Sequence, residues 1–439
     1  FDLLTSDRGV VQGASYTDVN AQLPALTFLT IVAVICAVLF FVNARYRVWS
    51  LPIIAVGLLL IVSILLGTAY PAFIQQFRVN PNEQQYEQTF IERNIAGTRR
   101  AFGLDEIRLE EQPSFSPTVT AADVQANEAT IANIRLWRPS VLKENFESVQ
   151  RIRQYYDFND VDVDRYEVDG ERRVLMVSGR EVIQSGISEA ARTWQNEHLV
   201  YTHGFGTVAA QVNSITADGG PLLNLEDIPP DGEPATEQPR IYFGEFNDVD
   251  FVVVNSSTDE LDFEGASGET PFTYTGDGGV ELGGYFRRAL FAWRFQDANL
   301  LISGQLDSES RILMRRDIEQ RAKETMPFLT FDHDPYLAVT ETGYVWIMDA
   351  YTTSDAYPYS QAVNMAEVTA ELLPRQEVNY IRNSVKVVVD AYDGTVTYYA
   401  DLDEPIMQAW DRAFPGVFTS IDAAPDEIRI VRGSLVQAL

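Results

Sequence analysis

The chain has 439 residues, 46% hydrophobic and 11% aromatic, which excludes a disordered polymer of low hydrophobicity and gives length enough for more than one domain. Lys and Arg total 33 against 63 Asp and Glu, a net charge of −30, and a surface that negative repels nucleic acid and other polyanions. One cysteine, Cys36, and three histidines exclude an intrachain disulfide framework and a cysteine-based zinc site.

The sequence starts at Phe1 with no basic region leading into an apolar segment, and it reads as an internal piece of a longer protein. No charged residue lies between Asp18 and Arg45, and none between Val48 and Phe77. Each stretch is long enough to cross a hydrocarbon core that needs about 20 apolar residues, and neither carries the polar position per turn of a soluble core helix. Two transmembrane helices are expected, over about 24–43 and 51–72, with Pro71 marking the end of the second. The short loop between them holds Arg45 and Arg47 with no acid, which puts that loop in the cytoplasm and residues from about 78 onward on the extracytoplasmic side of the cell membrane. The expected fold is α+β: an N-terminal transmembrane helical hairpin, residues 1–78, followed by a large mixed α/β extracytoplasmic region.

Beyond the hairpin, Asn80, Pro81 and Asn82 start a helix carrying Tyr86, Phe90, Ile95 and Phe102 until Gly103. Thr120 with Asp123 resembles a capping box for a helix to about Arg135, and Ser140 opens another with an apolar face of Val141, Phe146, Val149, Ile152 and Tyr156. Strands Arg165–Val168 and Arg173–Val177 flank the turn dipeptide Asp169-Gly170. Gly219 to Pro239, rich in proline, glycine and acids, reads as a linker, dividing an outer region 79–230 from a second, 240–439. In the second, Arg240–Phe243 and Asp250–Asn255 read as strands, and Gly265–Gly284 as a glycine-rich loop. Tyr285–Leu301 and Ser310–Thr325 read as helices, and Tyr344–Met348, Val385–Asp390 and Thr395–Tyr399 as strands.

Four residues are candidates for catalysis. His203, between Thr202 and Gly204-Phe205-Gly206, can serve as a general base or as a satisfied turn histidine. Asp332, His333 and Asp334, ahead of Pro335, gather oxygen and nitrogen ligands in one turn, a pattern that also suits an ordinary turn before proline. No fourth or fifth ligand is specified, so no metal and no cofactor is expected. Asn159, Asp160, Asp162 and Asp164 resemble a calcium loop, but Arg165 stands where its sharp turn needs glycine. Among Tyr351, Thr352, Thr353, Ser354, Asp355, Ala356, Tyr357, Pro358 and Tyr359, the tyrosines Tyr351, Tyr357 and Tyr359 offer apolar area with a polar handle, suited to binding protein or glycan.

The run Gly13-Ala14-Ser15-Tyr16-Thr17-Asp18-Val19-Asn20, the Thr202–Gly206 segment, Asp334-Pro335-Tyr336, the Tyr351–Tyr359 segment, and Asn379-Tyr380-Ile381-Arg382-Asn383-Ser384-Val385-Lys386 leading to Asp390-Ala391-Tyr392-Asp393-Gly394 resemble uncharacterised protein family 0182. The resemblance implies a large bacterial multi-spanning membrane protein with a big outer domain, of which this chain holds the last two helices and most of that domain. It implies no activity and no catalytic residues. The expected function is a membrane-anchored extracytoplasmic binding or scaffolding module of the bacterial cell envelope, without catalysis by this chain. Its expected partners are the bilayer itself, other envelope or membrane proteins or a glycan, and not nucleic acid. The alternatives are an envelope hydrolase using His203 and the nearby acids, and the outer domain of a transporter.

Overall fold

The uncharged stretches fold as two long helices, Asp18–Tyr46 and Ser50–Ala101, each long and apolar enough to cross a membrane. The computed structural model to which they belong describes residues 3–46, 48–101, 104, 107, 118–131, 133–246, 249–265 and 268–425. The chain separates into two compact units. The first comprises Phe1–Phe115, Thr353–Val368 and Arg375–Ile381, and the second Ser116–Thr352, Thr369–Pro374 and Arg382–Leu439.

In the first unit the helices pack through Val32, Cys36 and Ala55, with Leu39, Leu59 and Val62 around them. Phe28, Ile31, Val34, Val38 and Phe41 on one helix, and Ile53, Ile54, Leu60, Ile61 and Ile64 on the other, remain exposed. The second helix does not stop at Pro71 as expected but runs unbroken through Pro71 and Pro81 to Ala101. A proline lacks the N–H for the helical bond and its ring crowds the carbonyl four residues back. Each proline is preceded by one widened turn that relieves this: the Tyr70 N–H reaches Leu65 O, and the Asn80 N–H reaches Gln75 O. At 1.5 Å per residue this 52-residue helix is about 78 Å long. The expected end at Phe102 and Gly103 lies outside the described residues.

The second unit is β-rich. One antiparallel sheet runs in the order Asp162–Val168, Glu171–Gly179, Thr207–Ile215, Pro221–Glu226, Asp231–Gly232. Its first hairpin turns where expected, with Asp169 and Gly170 both at positive φ, 52° and 74°, the backbone that suits a two-residue turn between twisted strands. Another sheet orders Thr330–Phe331, Tyr344–Ser354, Tyr380–Asp390, Val396–Ala400 and Phe418–Ser420, with Tyr336–Val339 also paired to Tyr344–Ser354. The last pair is parallel, joined through the helix Pro405–Ala413. Leu175, Val177 and Ala209 of the first sheet share one core with Trp346, Met348, Val385 and Val387 of the other, closed by Ile318 and Ala322 of the helix Ile318–Thr325.

Several local expectations change. Gly219–Pro239 is no linker: its Pro221–Glu226 and Asp231–Gly232 strands extend the first sheet, and Leu225 is buried in the shared core. The structure divides elsewhere, as above. Ser310–Thr325 is not one helix, because Arg311–Met314 pairs as a strand with Phe251–Val254 and the helix begins only at Ile318. The Thr120–Asp123 capping box is present, but its helix ends at Ala126 and a short turn, Glu128–Ile131, follows. In Pro139–Val149 the buried positions are Leu142 and Phe146, while Val141 and Val149 face solvent. Tyr285–Leu301 breaks into Tyr285–Phe295 and Asn299–Ile302 at Gln296, which adopts φ 54°. The glycine-rich stretch contains the strands Gly268–Phe272 and Val280–Glu281.

Candidate functional site

Three groups of polar residues are built by these elements. The first surrounds His203. Gly204 and Phe205 pair with Arg240 and Ile241, and Gly204 passes so close to Arg180 that an added Cβ would lie 2.0 Å from the Arg180 carbonyl oxygen. This close passage draws His203 into the core. Its Nε2 lies 3.3 Å from Asp262 Oδ1 and its Nδ1 2.9 Å from Thr202 Oγ1. Thr202 and Tyr242 donate hydroxyl hydrogen bonds to Glu260, and Arg240 donates two guanidinium bonds to Asp262 at 2.6 and 2.7 Å. Burial alone would raise the Asp262 carboxyl, but the hydrogen bonds and charges of His203 and Arg240 outweigh it and hold the group below its ordinary pKa. The His203 side chain is fully buried, so this network binds elements of the second unit together, and only Arg240, 17% exposed, reaches toward solvent.

The second group is acidic. Asp332, His333 and Asp334 are adjacent in sequence but have different outer partners, although the Asp334 backbone also hydrogen-bonds the Asp332 carboxyl. Asp332 sits beside Asp349, and its pKa is pushed up to about 7, by burial first and by that neighbouring charge second. Asp349 is paired with Lys386 and accepts a bond from Asn383 at 2.8 Å. His333 turns outward and contacts Glu319 at 2.6 Å. Asp334 is a charged neighbour of Asp160, whose carboxyl is raised by burial first and by Asp334 second. Near Asp160 stand Glu181, raised to about 8 chiefly by full burial, and Glu245, raised by burial and then by Asp160 and Glu181. Glu181 accepts the Phe246 N–H at 3.1 Å. Asp162 and Asp164 lie in a strand, where Asp162 accepts the Leu337 N–H and Asp164 the Arg165 N–H, an arrangement incompatible with a calcium loop. Among the described residues no three His, Cys, Asp or Glu side chains are arranged to hold a metal ion. His203 has Thr202, Glu260 and Asp262 as partners, and not the Asp332–Asp334 acids.

The third group lies in the first unit and joins segments far apart in sequence. Ser15 donates its N–H and hydroxyl to Asp18, which also pairs with Arg8 at 3.1 Å. The Tyr16 N–H is accepted by the buried Glu87 carboxylate, and the Tyr16 ring meets Tyr86 with Arg78 over both. The Tyr359 N–H bonds Leu4 O, Asn94 donates to Tyr359 O, and the Tyr359 ring lies on Gly13. Gly13 has φ +103°, and a Cβ there would stand 2.2 Å from Tyr359 Cδ1, so only glycine fits. Tyr357 stacks on Tyr380 with centroids 5.0 Å apart, and Asn379 brackets its backbone by accepting the Tyr357 N–H and donating to Tyr357 O. Tyr357 and Tyr359 remain 48% and 45% exposed. Tyr351 does not join them: it belongs to the second unit, paired with Thr330 within the strand Tyr344–Ser354. Sequence reading singled out Gly13–Asn20 and the tyrosines separately. Glu87 and Asn94 as their supports carried no local signal, and Asn379 stood only in the family-like run, since each acts through a partner distant in the chain.

Comparison with known proteins gives a family and no activity. The profile of an uncharacterised protein family, UPF0182, matches residues 1–430. A UPF0182 protein of Frankia alni is 45% identical over 436 residues, covering 94% of this chain and 42% of its own length. One from Pelotomaculum thermopropionicum is 42% identical over 432 residues, covering 98% of this chain and 46% of the relative, and one from Cupriavidus necator shows the same identity and coverage. The chain thus spans less than half the length of these curated relatives. No solved structure matches it.

Proposed function

The chain belongs to uncharacterised protein family UPF0182, and from that premise we propose that it is a membrane-anchored binding or scaffolding module of the bacterial cell envelope, with residues from about 78 onward extracytoplasmic. The observation that carries the reading is the outward apolar surface of the two long helices, whose large side chains find few partners in the first unit. Burying apolar surface is worth about 25 cal/mol per Å², and a hydrocarbon core of ~30 Å is the environment that takes up such a surface along the apolar stretches 26–42 and 51–72 of the two helices. Arg45 and Arg47 in the connecting loop favour a cytoplasmic loop and an external second unit. Half-exposed Tyr357 and Tyr359, clamped from beneath by Asn379 and Gly13, supply rigid aromatic area for a protein or glycan partner. The hydrolase alternative has no comparable support, because the His203 side chain is fully buried and its acidic partners are Glu260 and Asp262. The transporter alternative concerns the full length of the relatives, less than half of which this chain spans.

Protease added to intact spheroplasts carrying the full-length protein should digest the second unit while leaving the helical hairpin. Protection of the second unit in spheroplasts, with digestion after lysis, would reverse the topology.

A further inference from the structure

The helix Tyr285–Phe295 is apolar on two opposite faces, and only one is covered. Phe291, Ala292 and Phe295 pack against a core containing Leu300 and Ile312, and the buried Arg288 guanidinium between them donates to the carbonyls of Leu300, Ser303 and Leu306. That contact fixes which way the helix faces. On the other side Phe286, Leu290 and Trp293 follow at four- and three-residue spacing and form one stripe. Phe286 is 80% and Trp293 81% exposed, and Tyr285 at the end of the helix is 76% exposed. Arg287 and Arg294 are exposed on the flank of that stripe, and the eleven residues contain three arginines and no acid, in a chain whose net charge is −30.

We propose that this helix lies in the headgroup layer of a phospholipid bilayer, with Phe286, Leu290 and Trp293 inserted and Arg287 and Arg294 against lipid phosphates. A protein partner chosen by charge for an acidic surface would be basic, and this patch would repel it. The patch instead has the composition of an interfacial helix: Trp, Phe and Leu on one face and arginine beside them, with aromatic rings favouring the headgroup level. The proposal rests on the membrane-anchored reading above and adds a second, peripheral contact made by the second unit.

The test uses the full chain reconstituted in vesicles of phosphatidylcholine and phosphatidylglycerol, in a Cys36→Ser background. Single cysteines from Phe286→Cys, Trp293→Cys, Val38→Cys and Asp307→Cys are labelled with an environment-sensitive fluorophore and challenged with nitroxide lipids. Val38 lies on the first apolar helix and reports anchoring, and exposed Asp307 reports water. Labels at 286 and 293 should be blue-shifted and quenched by headgroup-level nitroxide, and adding Arg287→Gln with Arg294→Gln should reduce that quenching when phosphatidylglycerol is present. Water-like, unquenched signals at 286 and 293 with a quenched label at 38 would overturn this proposal and leave the anchored reading standing. A blue shift without lipid quenching would mean that protein covers the stripe, which also overturns it. An unquenched label at 38 would instead count against the anchored reading itself.

Discussion

The His203 network and the Tyr357–Tyr359 cluster are both assembled from segments distant in the chain, yet one is closed and the other open. Around His203, five polar side chains satisfy one another inside the second unit. Around Tyr359, hydrogen bonds fix the backbone from Leu4, Asn94 and Asn379 and leave the rings half in solvent. The difference teaches that a histidine beside carboxylates is a matter of stability once water and substrate are kept out, whereas an exposed ring on a fixed backbone is available for recognition.

The comparison is broken most forcefully at Asp262. Asp262→Ala leaves Arg240 and His203 without their carboxylate in a buried setting and should cost about 3–5 kcal/mol, read from denaturant unfolding; a loss near zero would mean the network is open to water. Gly13→Ala should come next, since a left-handed non-glycine residue costs about 1–3 kcal/mol and its methyl strikes the Tyr359 ring. Its effect should appear as loss of the Tyr359 contact in the first unit, measured by protease sensitivity of the 353–368 segment.

A pH measurement sharpens the contrast from the acidic side. Glu181 is raised from 4.5 to about 8 by burial, so between those values the folded state holds a proton that the unfolded state has released. Stability must then fall as pH climbs through that window. Glu181→Gln removes the titration and should flatten the decline between pH 5 and 8; an unchanged slope would assign it to other carboxyls. The smallest effect on folding is expected from Tyr357→Ala with Tyr359→Ala, within about 1 kcal/mol of the parent because exposed substitutions change little. The same pair should weaken any envelope contact captured by crosslinking, and unfolding of the double variant would return both rings to the core.

The sequence disclosed what is decided locally. Asp169-Gly170 makes its turn from its own backbone preferences, Thr120 and Asp123 cap each other three residues apart, and the two apolar helices announce themselves by composition. Arg311–Met314 was illegible because its strand partner, Phe251–Val254, lies far back in the chain. The face of Pro139–Val149 was misphased because Val141 and Leu142 are equally apolar, and only the sheet beneath, through Met176 and Val208, selects Leu142. At the candidate sites His203 and the tyrosines were visible as residue types. Their meaning was not, since burial by Glu260 and Asp262 in one case and support by Asn379 in the other are tertiary facts.

The long helix also has a rotational phase. Each widened turn ahead of Pro71 and Pro81 holds one residue more than an ordinary turn, and one residue corresponds to roughly 100° around a helix axis. Faces counted along the sequence from Val56 and Leu60 therefore slip twice before Tyr86 and Glu87 are reached. Conversion of either turn to the ordinary form would restore the clash of the proline ring with the carbonyl four residues back and turn Glu87 away from the Tyr16 N–H, so the two widened turns hold the phase on which that distant contact depends.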